Sequence, residues 1–221
     1  MEKWSAQLSR YYHDLKKPII PEWYECMNPY EHKETMTIVD EFLTKYYSDD
    51  KPRTLIFGIN PGRFGSGITG ISFTDPVRLK EKLKIKHPFE MRPELSSEFI
   101  YEVISAYGGP KKFFSNFFIS AVYPLGFLHE GKNINYYELD KWKSYMLDCI
   151  VDELNAHAKW PINREKGICI GQGENFKVLK ELNDEYKWFD KVVALPHPRW
   201  VLQYRRKEKE EYITAYLDAL K

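Results

Sequence analysis

TLIFGINPGRFGSGITGISF, residues 54–73, begins as an unbroken apolar run, Thr54–Ile59, and then turns abruptly to asparagine, proline and glycine. A run without polar alternation suits a strand covered on both faces, as in a parallel sheet packed between helices. Three more segments have this character: Phe117–Val122, Gly167–Ile170 and Lys191–Leu195. Helical stripes lie around them. After Asn28-Pro29, a cap followed by proline at a first helical position, Met36, Val39, Phe42, Leu43 and Tyr46 recur at helical spacing. Tyr136, Leu139, Trp142, Met146, Ile150 and Leu154 form a second stripe, and Tyr212, Ile213, Tyr216, Leu217 and Leu220 a third. The order helix, strand, helices, strand, helix, strand, helix, strand, helix predicts an α/β sandwich on a small parallel sheet.

Composition narrows the class. At 221 residues with no linker, repeat or low-complexity tract, the chain is expected to form a single domain, 1–221. Hydrophobic residues at 43% and charged residues at 29% exclude an intrinsically disordered chain. The net charge of +1 neither requires nor excludes a polyanionic partner, so local clustering of Lys and Arg decides. Aromatics reach 16%, enough to supply stacking platforms as well as core. Cys26, Cys149 and Cys169 are far apart and read as reduced, packed thiols, with no zinc or iron–sulfur spacing. The scattered histidines offer no metal set either, and neither metal nor cofactor is expected. No leader or membrane-length apolar run is present, so a cytoplasmic protein with no membrane partner is expected.

In open α/β sheets ligands bind beyond the carboxyl ends of the strands, which directs attention to the polar residues there. Gly58, Gly62, Gly65, Gly67 and Gly70 do not fit a phosphate-binding P-loop, since no Lys-Ser or Lys-Thr follows. They predict a loop shaped for close backbone approach to a ligand. The Asn60 amide is able to orient a water, with Pro61 fixing the backbone behind it. ALPHPRWVLQYRRKEK, residues 194–209, ends a strand in His197 between two prolines and continues into a basic run. His197 suits stabilisation of a developing anion, as imidazole or imidazolium. Arg199, Arg205, Arg206 and Lys207 suit phosphates, and Trp200, Val201, Leu202 or Tyr204 suit wedging into a base stack. GQGENF, residues 171–176, lacks the third glycine of a dinucleotide turn and reads as a tight strand-to-helix connection.

With these motifs in place, the chain resembles the uracil-DNA glycosylase superfamily and, within it, the single-strand-selective monofunctional (SMUG) branch. GINPGRFG (58–65) followed by TGISF (69–73) is similar to that branch's G-M-N-P-G-P-F-G and T-G-V-P-F, and His197-Pro198-Arg199 to its H-P-S-P-R. FFSNFFISAVYPLGFL and GKNINYYEL, within residues 113–139, resemble a third conserved stretch. The resemblance implies a three-layer α/β/α sandwich with a central, mainly parallel four-stranded sheet. It also implies a monomeric, monofunctional base-excision enzyme acting on a flipped nucleotide in DNA carrying deaminated bases. By the same resemblance Asn60 positions the attacking water, His197 bonds the base O2, and Phe73 stacks on the base. Gly58, Ile59, Pro61, Gly62, Arg63, Phe64, Ser120 and Ala121 surround the substrate, and Pro198, Arg199, Trp200, Val201, Arg205 and Arg206 meet DNA.

The chain departs from the branch where the asparagine that reads the uracil edge becomes Ala121, where Arg63 and Ser72 replace prolines, and where HPRW shortens the second motif. These changes predict a distinct subfamily with altered base selectivity, extending to xanthine or hypoxanthine. Two other readings stay open at this point: a nucleotide-dependent α/β enzyme using GQGENF, and a non-catalytic binder of single-stranded nucleic acid.

Overall fold

The computed structural model describes residues 2–221. In chain order the elements are α1 (Trp4–Asp14), β1 (Tyr24–Met27), α2 (Lys33–Tyr46), β2 (Thr54–Gly58), α3 (Ser66–Thr69), α4 (Pro76–Glu81), α5 (Leu95–Tyr107), α6 (Pro110–Asn116), β3 (Phe117–Ala121), β4 (Gly126–His129), β5 (Lys132–Ile134), α7 (Lys143–His157), β6 (Gly167–Ile170), α8 (Glu174–Tyr186), β7 (Val192–Leu195), α9 (Pro198–Tyr204) and α10 (Lys209–Ala219). The four apolar segments form one parallel sheet in the order β3-β2-β6-β7.

Helices cover both faces of this sheet, which is why its strands lack alternation. On one face Phe118 packs against Trp4 of α1 with ring centroids 5.6 Å apart, and Phe57 against His157 of α7 at 5.8 Å. On the other, Ile56, Ile119, Ile170 and Leu195 face Ile100 and Val103 of α5 and Tyr216 of α10. The expected three-layer α/β/α sandwich is the observed architecture.

The structure departs from the sequence reading at three places. The first stripe does not start a helix at Pro29: residues Pro29–Glu31 make a 3-10 turn, with the Asn28 side chain accepting from Tyr30 N at 3.0 Å, before α2 begins at Lys33. Tyr136 and Leu139 likewise precede α7 instead of opening it. The Tyr136 amide donates to Asn60 Oδ1 at 2.9 Å, so it is committed to the glycine loop. Third, a small antiparallel sheet, β1-β4-β5, has no counterpart in the sequence reading. Its strands are only three or four residues long, too short for periodicity to register. Glu130 and Gly131, both at positive φ, turn β4 into β5 in the manner of a primed hairpin.

Fully buried Arg53 locks the entry to β2. Its Nε donates to Phe114 O at 2.8 Å, Nη1 reaches Asp49 Oδ1 at 2.8 Å, and the guanidinium lies 4.8 Å from the Tyr47 ring centroid. Arg53→Met keeps the stem but removes these donors. Urea unfolding is expected to show a loss of about 2 kcal/mol, the scale of leaving buried carbonyls unpaired.

Candidate active site

At the carboxyl edge of the parallel sheet, register pairs Gly58 of β2 with Ala121 of β3. Because neither carries a large side chain, the sheet edge opens into a cavity of about 540 Å³. Phe73 forms its wall. This residue has φ +52, a left-handed conformation that costs a non-glycine residue of order 1 kcal/mol. The ring turns toward Gly58, where a Cβ would stand 2.8 Å from Phe73 Cε2, and its centroid lies 6.3 Å from that of His197. Gly58→Ala should therefore push the ring out of place. A loss of about tenfold in single-turnover rate is expected, with an unchanged melting temperature separating displacement from unfolding.

Asn60 follows the strand end. Its Oδ1 accepts from Tyr136 N at 2.9 Å and its Nδ2 donates to Ile134 O at 3.2 Å, so the segment after β5 holds the amide plane at both ends. Nδ2 also lies 3.5 Å from Pro61 O, a long contact, and one carbonyl lone pair of Oδ1 remains for a water. Sequence reading placed Asn60 in the site but gave no sign of what holds it. The signal was present only as the GKNINYYEL stretch, without a physical reason.

His197 caps α9. Its Nδ1 accepts from Arg199 N at 3.2 Å, which places the proton of the neutral ring on Nε2, a donor available to the cavity. Burial, with Arg199 adding like charge, depresses the imidazole pKa to about 4. Of the two forms left open by the sequence, the neutral one therefore prevails near pH 7.

Gly58, Ile59, Asn60, Pro61, Gly62, Arg63, Phe64, Phe73, Ser120, Ala121, His197 and Arg199 all line the one cavity. Their placements differ in kind. Arg63 Nη1 donates to Gly131 O of the β4–β5 hairpin, and its guanidinium stacks 4.4 Å from the Phe64 centroid, so it braces the loop. The Ser120 hydroxyl is engaged by His157 Nε2 at 2.6 Å, so it does not stand free in the cavity. The wedge expectation is corrected for Val201 and Leu202: both are buried, because the period of α9 turns them to the core while Arg199, Trp200 and Tyr204 face out. Pro198 is buried too. Trp200 and Tyr204 line a groove that shares Ile59, Asn135, His197 and Arg199 with the cavity. Arg205 and Arg206 are exposed beyond it, Arg206 Nη1 being 3.5 Å from Glu98 Oε1.

Not every glycine of the loop serves a ligand. Gly70, at φ +69, is held by packing, since a Cβ there would lie 2.6 Å from Val39 Cγ2. Connection 171–173 is the tight strand-to-helix link expected, and buried Asn175 beyond it donates to Gly58 O at 3.2 Å, bracing the cavity floor. Sequence reading missed Lys132, Asn133 and Glu94, which also line the cavity. Among the described residues no group of three His, Cys, Asp or Glu side chains is arranged to hold a metal, and no helix is long and apolar enough to cross a membrane.

The sheet edge thus brings a held asparagine after one strand and a neutral histidine after another into one cavity, and the comparisons with known proteins give the class to which this fold belongs. The Uracil DNA glycosylase superfamily model matches residues 44–221, and the chain belongs to that superfamily. The fold superposes on the crystal structure of wild-type Pedobacter heparinus SMUG2 with a TM-score of 0.94 and 39% sequence identity, covering 99% of this chain and 97% of that one. The chain is accordingly a SMUG-type member with a uracil-DNA glycosylase-type function.

Proposed function

We propose that the protein hydrolyses the N-glycosidic bond of uracil, and also of xanthine and hypoxanthine, in DNA, working as a monofunctional and monomeric enzyme on an everted nucleotide in the cytoplasm. The observation that carries this reading is the meeting of the Asn60 amide, the His197 ring and the Phe73 ring around one cavity at the sheet edge. Glycosidic cleavage makes the sugar cationic and the departing base anionic. Neutral His197 donates Nε2–H to the base oxygen where that charge grows, and Asn60 aligns the water that attacks the sugar. Phe73 stacks on the base, and Trp200 and Tyr204 reach toward the vacated stack, with Arg199, Arg205 and Arg206 at phosphates.

Broad base choice is supported by Ala121, which carries no amide to demand a uracil edge, and by a Ser120 hydroxyl already occupied by His157. Neither the motif around Asn60, GINPGRFG, nor the one at His197, HPRW, contains a lysine, which supports water rather than an amine as nucleophile.

The test is incubation with labelled oligonucleotides carrying each deaminated base, in single and double strands, followed by alkali. Alkali-dependent cleavage, without nicking beforehand and without a borohydride-trapped adduct, is expected. Salt-dependent binding that leaves every substrate intact overturns the reading in favour of a non-catalytic binder.

A further inference from the structure

Glu94, at the N-terminal boundary of α5, is the one acidic side chain lining a cavity whose charged lining is otherwise Arg63, Lys132 and Arg199. Its backbone N–H donates to Asp75 Oδ2 at 2.7 Å, while its carboxyl oxygens make no hydrogen bond or ion pair among the described residues. The carboxyl fills the space over the glycine loop, where a Cβ at Gly65 would overlap Oε2 and one at Gly62 would lie 3.7 Å from Oε1. Three charged groups act on it as well. Asp75, itself bonded by Arg78 at 3.2 Å, lies beneath. Arg199 of α9 shares the cavity lining with it, and the charges of Arg199 and of Arg92, which is stacked 3.5 Å from the Phe64 centroid, favour its ionised form.

An ionised carboxylate at that point opposes a polyanion entering a cationic cleft, whereas a carboxylic acid supplies a hydrogen-bond donor between two guanidiniums. We propose that Glu94 serves DNA binding as the uncharged acid, its O–H donating to a backbone phosphate held between Arg92 and Arg199, so that loading of DNA takes up one proton from solvent. The inference rests on the glycosylase reading in taking DNA as the polymer bound. Burial and the Asp75 charge raise the Glu94 pKa to about 7 in the free protein, so both forms are present at neutral pH. Phosphate proximity favours the protonated form further.

The test measures binding of a single-stranded oligonucleotide carrying uncleavable 2′-fluoro-2′-deoxyuridine, by fluorescence anisotropy at fixed ionic strength from pH 5.5 to 8.5. His197 stays neutral over this range, titrating near 4. Glu153, near 6, sits outside the cleft, bonded by Tyr11. Wild-type affinity is expected to fall about tenfold per pH unit above pH 7. Glu94→Gln, which keeps the shape and a donor, is expected to bind with a flat profile at the affinity wild type shows at low pH. Calorimetry in buffers of different ionisation enthalpy should show net proton uptake by wild type at pH 7.5 and none by Glu94→Gln. A Glu94→Gln profile as steep as wild type, or wild-type binding without proton uptake, overturns the proposal. If uracil is still released in those cases, the glycosylase reading stands on its own. If neither protein binds DNA at any pH, both readings fail together.

Discussion

Replacing Asn60 with alanine is expected to lower the single-turnover rate of base release about 10²-fold or more, the scale on which one preorganised polar group acts in a water-excluded site. The expectation follows from how the amide is held. Tyr136 N and Ile134 O take one lone pair and one N–H, so the orientation of the remaining pair is set before substrate arrives. Alanine leaves the water with no partner that fixes its direction, and it also leaves two backbone groups of the 134–136 segment unpaired. Circular dichroism and substrate affinity separate these effects. Loss of rate with retained binding supports the positioning role, because a flattened β4–β5 hairpin would weaken binding first. A wild-type rate from a folded Asn60→Ala protein refutes the assignment.

His197→Ala is expected to cost a comparable factor, about 10²-fold, for a different reason: it removes the donor facing the oxygen on which negative charge develops. Since the ring is neutral above about pH 4, the wild-type rate constant for base release should show no step between pH 5 and 8 attributable to this residue. Acidification through pH 4 protonates Nδ1, which breaks the bond from Arg199 N and adds positive charge next to Arg199. The loss in His197→Ala should depend on the leaving base, being largest where the N-glycosidic bond is hardest to break and smallest for an activated pyrimidine such as 5-fluorouracil. A uniform loss across bases would point to damaged folding of α9, which His197 caps.

The proposed catalytic pair illustrates a division between strand ends and the segments that brace them. Asn60 and His197 each lie two residues beyond the ends of β2 and β7, strands two positions apart in the sheet order, and reach the same cavity because parallel strands deliver all their carboxyl ends to one edge. Their bracing comes from elsewhere: 134–136 for Asn60, the first turn of α9 for His197, and Asn175 for the floor at Gly58.

The parallel sheet and the ends of its strands were legible before folding, because burial on both faces writes an unbroken apolar run that needs no partner to be read. The catalytic candidates were legible too, since Asn60 directly follows one such run and His197 follows another after a single proline. Features set by contacts across long separations emerged with the folded chain alone. The small antiparallel sheet is made of strands too short to carry a period. Val201 and Leu202 face the core because of the phase of α9, which composition does not reveal. The Asn60 amide is oriented by backbone atoms 74 and 76 residues away, and Glu94 enters the cavity only because α5 begins beneath the glycine loop. Backbone hydrogen bonds and burial carry no residue-type signature, so their partners appear only once the chain has folded.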